Sequence, residues 1–133
     1  MNIVERVKQL NLPFGKYVVI GSGTLEILGL RKAKDIDIAV LPELYAQLRA
    51  TGEWKEEKRY DKIFLKQNDI EINPNLNWDK YSTSTKEAIA SAIIIDDVPF
   101  MNFQELRRFK QALGRKKDYA DIILIDDYEK NHS

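Results

Sequence analysis

Residues 17–40 read YVVIGSGTLEILGLRKAKDIDIAV, two apolar β-branched runs on either side of a glycine-containing turn. The first run, Tyr17-Val18-Val19-Ile20, predicts a buried strand. In the second run, apolar residues alternate with Asp35 and Asp37, which is the period of a strand with two different faces. Between the runs, Gly21-Ser22 predicts a tight turn that opens a short helix. This strand–turn–helix–strand unit is the expected centre of the fold.

Helical and strand periodicities alternate on both sides of this unit. The predicted order of elements is α β α β α β β β α β β α α. Several of the strands are joined by short turns, and helices are interleaved with them. The pattern therefore predicts a mixed β-sheet with helices packed on it, an α+β or mixed α/β fold.

Length and composition limit what this chain can be. The 133 residues predict one domain, residues 1–133, with an ordinary hydrophobic core. Without cysteine, disulfides and thiolate metal sites are excluded. The first residues are charged and amphipathic, and the apolar runs are too short to span a membrane, so we expect a soluble, cytoplasmic protein with no membrane partner. The balance of 21 basic and 21 acidic residues argues against a general polyanion binder.

Asp35 and Asp37 are the first candidates for chemistry. Residues two apart in a strand point to the same face, so Ile36 and Ile38 are expected in the core and both carboxylates outside it. Two neighbouring carboxylates repel each other, and a hard divalent cation with oxygen ligands relieves that repulsion. A solvated strand face is the simpler alternative for this pair alone.

Gly21-Ser22 is a candidate phosphate-binding turn. It follows an apolar strand and opens a helix, where backbone N–H groups and a hydroxyl can meet an anion. Two other nucleotide-binding motifs fail in this chain. Glu26 stands where a dinucleotide fingerprint has its third glycine, and the phosphate-binding loop pattern with Gly-Lys-Ser/Thr is absent.

Glu71 is the third acid of interest, within Ile70-Glu71-Ile72. Its apolar neighbours predict a strand in which the carboxylate points away from them. In isolation, an exposed strand glutamate is the preferred explanation for this residue. A basic segment from Arg107 to Lys117 is interpreted as a solvated helix face. Trp54, Trp78 and Tyr81 are interpreted as packing residues rather than base-stacking ones.

Taken together, these motifs resemble the DNA polymerase β-type nucleotidyltransferase superfamily. The shared pattern is a strand, Gly21-Ser22, a spacer of twelve residues, Asp35-Ile36-Asp37, and later Ile70-Glu71-Ile72. The tail from Phe109 to Asp121 also resembles a Lys-Asp-x-x-Asp segment of small bacterial nucleotidyltransferases, which include lincosamide-modifying enzymes and abortive-infection toxins.

The resemblance implies a Mg²⁺-dependent transfer of a nucleoside monophosphate from ATP or another nucleoside triphosphate. Asp35, Asp37 and Glu71 would be the catalytic residues and the ligands of two Mg²⁺ ions, with Glu71 on the nucleophile side or acting as general base. Gly21 and Ser22 would hold the terminal phosphates. Three cations that lie near the motif segments in sequence would neutralise the phosphate charge. Lys34 and Lys117 are assigned to nucleotide binding, and Arg31 is a further candidate.

The acceptor is left open by the sequence: a small molecule, an RNA end or a protein hydroxyl all remain. Two alternatives remain beside the enzyme. One is a non-catalytic nucleotide-binding or protein-interaction module with the same fold, and the other is the toxin of a two-gene defence system. The chain has no evident acceptor-binding segment, so a homodimer or an antitoxin-like partner that completes the site is also left open.

Overall fold

The computed structural model describes residues 2–77 and 83–132. Within them are six helices and seven strands, in the order predicted. The helices are α1 (Ile3–Lys8), α2 (Gly23–Ile27), α3 (Pro42–Ala50), α4 (Thr85–Ala90), α5 (Phe103–Leu113) and α6 (Lys116–Asn131). The strands are β1 (Tyr17–Ile20), β2 (Ile36–Val40), β3 (Lys55–Arg59), β4 (Lys62–Gln67), β5 (Ile70–Asn73), β6 (Ile93–Ile95) and β7 (Val98–Phe100).

All seven strands form one mixed sheet in the order β3-β4-β5-β2-β1-β7-β6. Tight hairpins make the antiparallel pairs β3–β4, β4–β5 and β6–β7, and β1 is antiparallel to β2. The pairs β2–β5 and β1–β7 are parallel, and each is closed by a longer connection that contains helices or strands. The predicted α+β class, a mixed sheet with helices packed on it, is confirmed.

Local sequence explains where several elements begin and end. Asn102 caps α5 by accepting a hydrogen bond from the Glu105 N–H, and Ser84 caps α4 in the same way. Gly114 ends α5 in the left-handed conformation, with φ of +63°. Along the described ranges, no helix combines the length and the apolar character needed to cross a membrane.

Helices cover both faces of the sheet. Helices α1 and α3 pack on the face that carries Val19, Ile36 and Ile38. The opposite face, with Ile20 and Ala39, packs against residues of α4, α5 and α6. The simpler alternative of a fully solvated strand face does not hold for the alternate residues of β2, because Ala39 is buried and Asp37 is only partly exposed. They lie under α5 and α6, and that arrangement sets the environment of Asp37.

Candidate active site

The three predicted acids meet near the middle of the sheet. In the strand register Asp37 pairs with Ile20 on β1 and with Glu71 on β5, so Asp37 and Glu71 are neighbours on one face. Asp35 directly precedes β2 and acts electrostatically on Asp37. The structure thus brings together acids that are separated by more than thirty residues in sequence.

These acids line a cleft of about 810 Å³ between the sheet and helices α5 and α6. This volume is within the usual range for a small-molecule site. The residues predicted to bind nucleotide all border it, namely Gly21, Ser22, Lys34 and Lys117. Lys34 and Lys117 have exposed side chains at its rim. The opposite wall is partly apolar, with Phe109, Leu113 and Leu124.

Gly21 allows the close approach of the turn to the acids. Its φ is +64°, and a Cβ added there would lie 3.2 Å from Oδ2 of Asp37. A side chain at this position would meet both backbone strain and the carboxylate. The turn therefore holds its backbone directly against the Asp37 carboxylate.

Positive charge, rather than the helix end, marks the Ser22 side of the cleft. Helix α2 is only five residues long, so its dipole is small. The Ser22 hydroxyl instead accepts a hydrogen bond from Nη2 of Arg31, and Nζ of Lys110 lies 3.4 Å from the same oxygen. The predicted phosphate-binding role of this turn stays a prediction, with Arg31 and Lys110 as the cations beside it.

Lys110 is the main residue that the sequence interpretation missed. Its side chain is only 3% exposed, and its Nζ lies 2.7 Å from Asp121 Oδ2 and 3.6 Å from Asp118 Oδ1. The interpretation of this basic segment as a solvated helix face was therefore wrong for Lys110. The sequence contained the signal, because Lys110 lies four residues after Leu106 and three residues before Leu113, on the apolar face of α5.

Two arginines complete the charge network around Asp118 and Asp121. Arg31 donates to both oxygens of Asp121, at 2.6 and 2.7 Å, and Arg115 donates to both oxygens of Asp118. Burial alone would raise the pKa of both carboxyls, but these hydrogen bonds and the charge of Lys110 hold both pKa values below the usual range. Arg31, Arg115 and Lys110 thus face two carboxylates. The five groups together carry one net positive charge, next to Ser22.

Glu71 is buried rather than exposed, and it is engaged by an arginine. It is 8% exposed, and its Oε1 accepts a hydrogen bond from Nη2 of Arg59 at the end of β3. The simple alternative of an exposed strand glutamate is therefore excluded. Sequence reasoning did not single out Arg59. The strand register pairs Arg59 with Lys62 rather than with Glu71, and only its long side chain reaches the Glu71 carboxylate.

The donor set suits a hard cation once substrate oxygens are added. As the side chains stand, the described part of the chain holds no group of three or more acidic or imidazole side chains arranged to bind a metal ion. Asp35 and Asp37 remain as two carboxylates at one place, and Mg²⁺ needs only one or two carboxylates beside phosphate oxygens and water. The residues present therefore fit Mg²⁺. Glu71 could be a ligand only if the Arg59 guanidinium moves away from its carboxylate or leaves one of its oxygens to the metal.

Asp37 carries the largest electrostatic perturbation of the site. Burial, and then the charges of Glu71 and Asp35, raise its pKa from 3.8 to about 7. Lys110 and Arg59 act in the opposite direction. A bound divalent cation would remove the cost of ionising Asp37, so cation binding and loss of this proton are linked.

The raised pKa of Asp37 predicts a pH-dependent cost to stability. From about pH 4 to about pH 7 the folded protein holds this proton more tightly than the unfolded chain, so stability falls as the pH rises through that window. In EDTA, we expect Asp37→Asn to be more stable than the wild type by about 2 kcal/mol at pH 8, after allowance for solvent in the cleft, and no more stable at pH 4. Urea unfolding at both pH values measures the difference, and an advantage that does not change with pH would contradict the assignment.

Of the three aromatic residues considered, Trp54 packs as expected. It is half-buried against the core cluster under α1 and α3. Trp78 and Tyr81 lie outside the described residues. Tyr60 was not considered from the sequence, yet it borders the cleft at the tip of the β3–β4 hairpin, with 68% of its surface exposed.

Comparison with known proteins adds little to this geometry. No protein-family model and no curated protein matches the chain. Among solved structures, the crystal structure of ANT(2")-Ia in complex with adenylyl-2"-tobramycin matches with 16% sequence identity and a TM-score of 0.43. That match covers 99% of this chain and 95% of the other. A similarity this weak carries no conclusion, so function has to be argued from the residues of the cleft.

Proposed function

We propose that the cleft is the active site of a nucleotidyltransferase, which moves a nucleoside monophosphate from a nucleoside triphosphate to a hydroxyl acceptor. The convergence of Asp35, Asp37 and Glu71 with the Gly21–Ser22 turn is the observation that carries this proposal. A binding module has no need to keep three repelling carboxylates together, whereas metal-assisted phosphoryl chemistry does.

In the proposed reaction, the hydroxyl oxygen of the acceptor attacks the α-phosphorus and forms a new P–O bond. The bond from that phosphorus to the bridging oxygen of the β-phosphate breaks, and pyrophosphate leaves with the electron pair. The hydroxyl proton passes to the carboxylate of Glu71. Mg²⁺ held by Asp35 and Asp37, with an oxygen of Glu71 on the nucleophile side, would lower the pKa of the hydroxyl and neutralise charge on the leaving group.

The cations of the cleft divide by position in this proposal. Arg31 and Lys110, both on the Ser22 hydroxyl, hold the positive potential that attracts the terminal phosphates. Lys34 and Lys117 act from the rim, where their long side chains reach a bound phosphate only by reordering. The apolar wall of α5 and α6 is suited to the base or to an apolar part of the acceptor.

A second candidate function is supported by one observation. Because Arg59 already pairs with Glu71, the site also suits a module that binds a nucleotide and transfers nothing. In that case Glu71 has a structural role, and only Asp35 and Asp37 face the metal. The two functions differ in what Glu71→Gln does.

Glu71→Gln separates the two functions. The change keeps size and some hydrogen bonding but removes the carboxylate that takes the proton. We expect transfer of label from an α-labelled triphosphate to fall by at least about a hundredfold, and nucleotide affinity to change by less than about tenfold. Transfer is measured in a lysate fraction that supplies RNA, proteins and metabolites as acceptors.

The matched control is Glu43→Gln, an exposed change in the first turn of α3 away from the cleft. Its transfer rate should equal that of the wild type. Wild-type protein that binds nucleotide but labels nothing would favour the binding module. Full transfer by Glu71→Gln would remove Glu71 from the chemistry while leaving the other two acids in place.

A further inference from the structure

Arg59 is held from three sides at the wall of the cleft. Its Nη2 donates to Oε1 of Glu71, its Nε lies 3.0 Å from Oε1 of Glu57, and its guanidinium carbon lies 4.4 Å from the ring centroid of Phe64. The positive charge of Arg59 is therefore in direct contact with the carboxylate of Glu71, one of the three acids.

The hydrogen bond between Arg59 and Glu71 is one that an incoming ligand can replace. It is a single hydrogen bond to one carboxylate oxygen, whereas the strongest arginine–carboxylate pairs are bidentate. Within residues 2–77 and 83–132, its buried Nε has no aligned hydrogen-bond acceptor, since the contact with Glu57 is close but not in line. The side chain is also 38% exposed, so an incoming ligand can reach it.

A guanidinium and a divalent cation at this place compete for the same negative charge. Arg59 contacts Glu71, and Glu71 is the strand neighbour of Asp37, so the guanidinium lies beside the position where a metal would be held. A triphosphate carries more charge than the Glu71 carboxylate and offers a guanidinium several oxygens. The bound nucleotide is therefore the stronger partner for Arg59.

We propose that Arg59 is a positioning residue that blocks divalent-ion binding at Glu71 until a nucleoside triphosphate draws its guanidinium to the phosphates. The proposal rests on the nucleotidyltransferase function given above and adds to it an order of assembly. Metal binding at Glu71 becomes coupled to nucleotide binding, and the coupling is reciprocal.

The experiment measures Mn²⁺ binding by electron paramagnetic resonance, with and without an ATP analogue whose α–β bridge is a methylene. Without nucleotide, Arg59→Gln should bind Mn²⁺ about tenfold more tightly than the wild type, since a cation has been removed beside the site. The gain in Mn²⁺ affinity on adding the analogue should be about tenfold smaller in Arg59→Gln than in the wild type.

Arg49→Gln is the matched control, because Arg49 pairs with Glu56 on the exposed side of the same sheet edge. It makes the same change of net charge away from the cleft and should leave Mn²⁺ binding unchanged. Thermal unfolding in EDTA establishes that each variant is folded.

The outcomes distinguish this proposal from the one it rests on. If the wild type binds Mn²⁺ only with the analogue and Arg59→Gln binds it alone, the blocking role is supported. If Arg59→Gln binds Mn²⁺ as the wild type does, or more weakly, Arg59 does not block the metal, and the nucleotidyltransferase proposal stands. If the wild type binds Mn²⁺ under neither condition, both proposals fail.

Discussion

Transfer of nucleotide by Asp37→Asn is expected to fall by at least about a thousandfold, the largest effect of any single change in the cleft. Asp37 lies between the Gly21 turn and Glu71, so it is the acid that touches both the proposed phosphate site and the proposed base. Asparagine keeps the shape and one oxygen but cannot supply the charge that a hard cation requires.

The same variant should be folded, and at neutral pH more stable than the wild type in EDTA, since it removes a carboxyl that is costly to ionise. Loss of activity with gain of stability separates a functional defect from misfolding. Asp97→Asn, in the exposed turn between β6 and β7, is the matched control and should keep full transfer. Transfer by Asp37→Asn within about tenfold of the wild type would rule out Asp37 as a metal ligand.

Lys110→Met is expected to have the largest effect on stability. It removes the buried ammonium that faces Asp118 and Asp121, so that each carboxylate keeps only its arginine partner. Breaking a buried ion pair from one side costs about 3–5 kcal/mol, and we expect about 3 kcal/mol because Arg31 and Arg115 remain. Urea unfolding at pH 7 measures the change.

Lys116→Met at the exposed start of α6 is the matched control and should change stability by less than about 0.5 kcal/mol. Adding Asp121→Asn to Lys110→Met should cost less than the sum of the two single changes, because both remove the same buried contact between Lys110 and Asp121. A loss below about 1 kcal/mol for Lys110→Met, or a double variant that loses the full sum, would show that Lys110 is not the structural partner of Asp121.

The order of elements could be predicted because local signals in this chain agree with the fold. Asn102 and Gly114 bound α5, Pro42 opens α3, and the β-branched runs of β1 and β2 are strong strand signals. Asp35, Asp37 and Glu71 could be proposed because a spaced motif carries them. The element boundaries need only residues that are close in sequence, whereas Glu71 was proposed through the resemblance of the whole spaced motif.

What could not be predicted depends on contacts between distant elements. The partial burial of Asp37 follows from the packing of α5 and α6 over its face of the sheet. The contact between Arg59 and Glu71 is made by side chains that the strand register does not pair. The ion pairing of Lys110 could not be predicted for the same reason. A lysine in a basic segment is usually solvated, and only the position of α6 supplies the carboxylates that pair with it. Periodicity identifies a face but not the element that covers it.

The parallel pairing of β2 with β5 also bears on how the protein folds. The hairpins β3–β4 and β4–β5 close over short loops. In contrast, β2 pairs with β5 across a longer segment that contains α3, β3 and β4. Contacts between distant segments form late, because a larger loss of chain entropy has to be met first. We therefore expect Asp37 and Glu71 to become neighbours only after the hairpins have formed. A partly folded chain with native hairpins would lack the assembled acids, and ligands that need the acids together would stabilise the native state alone.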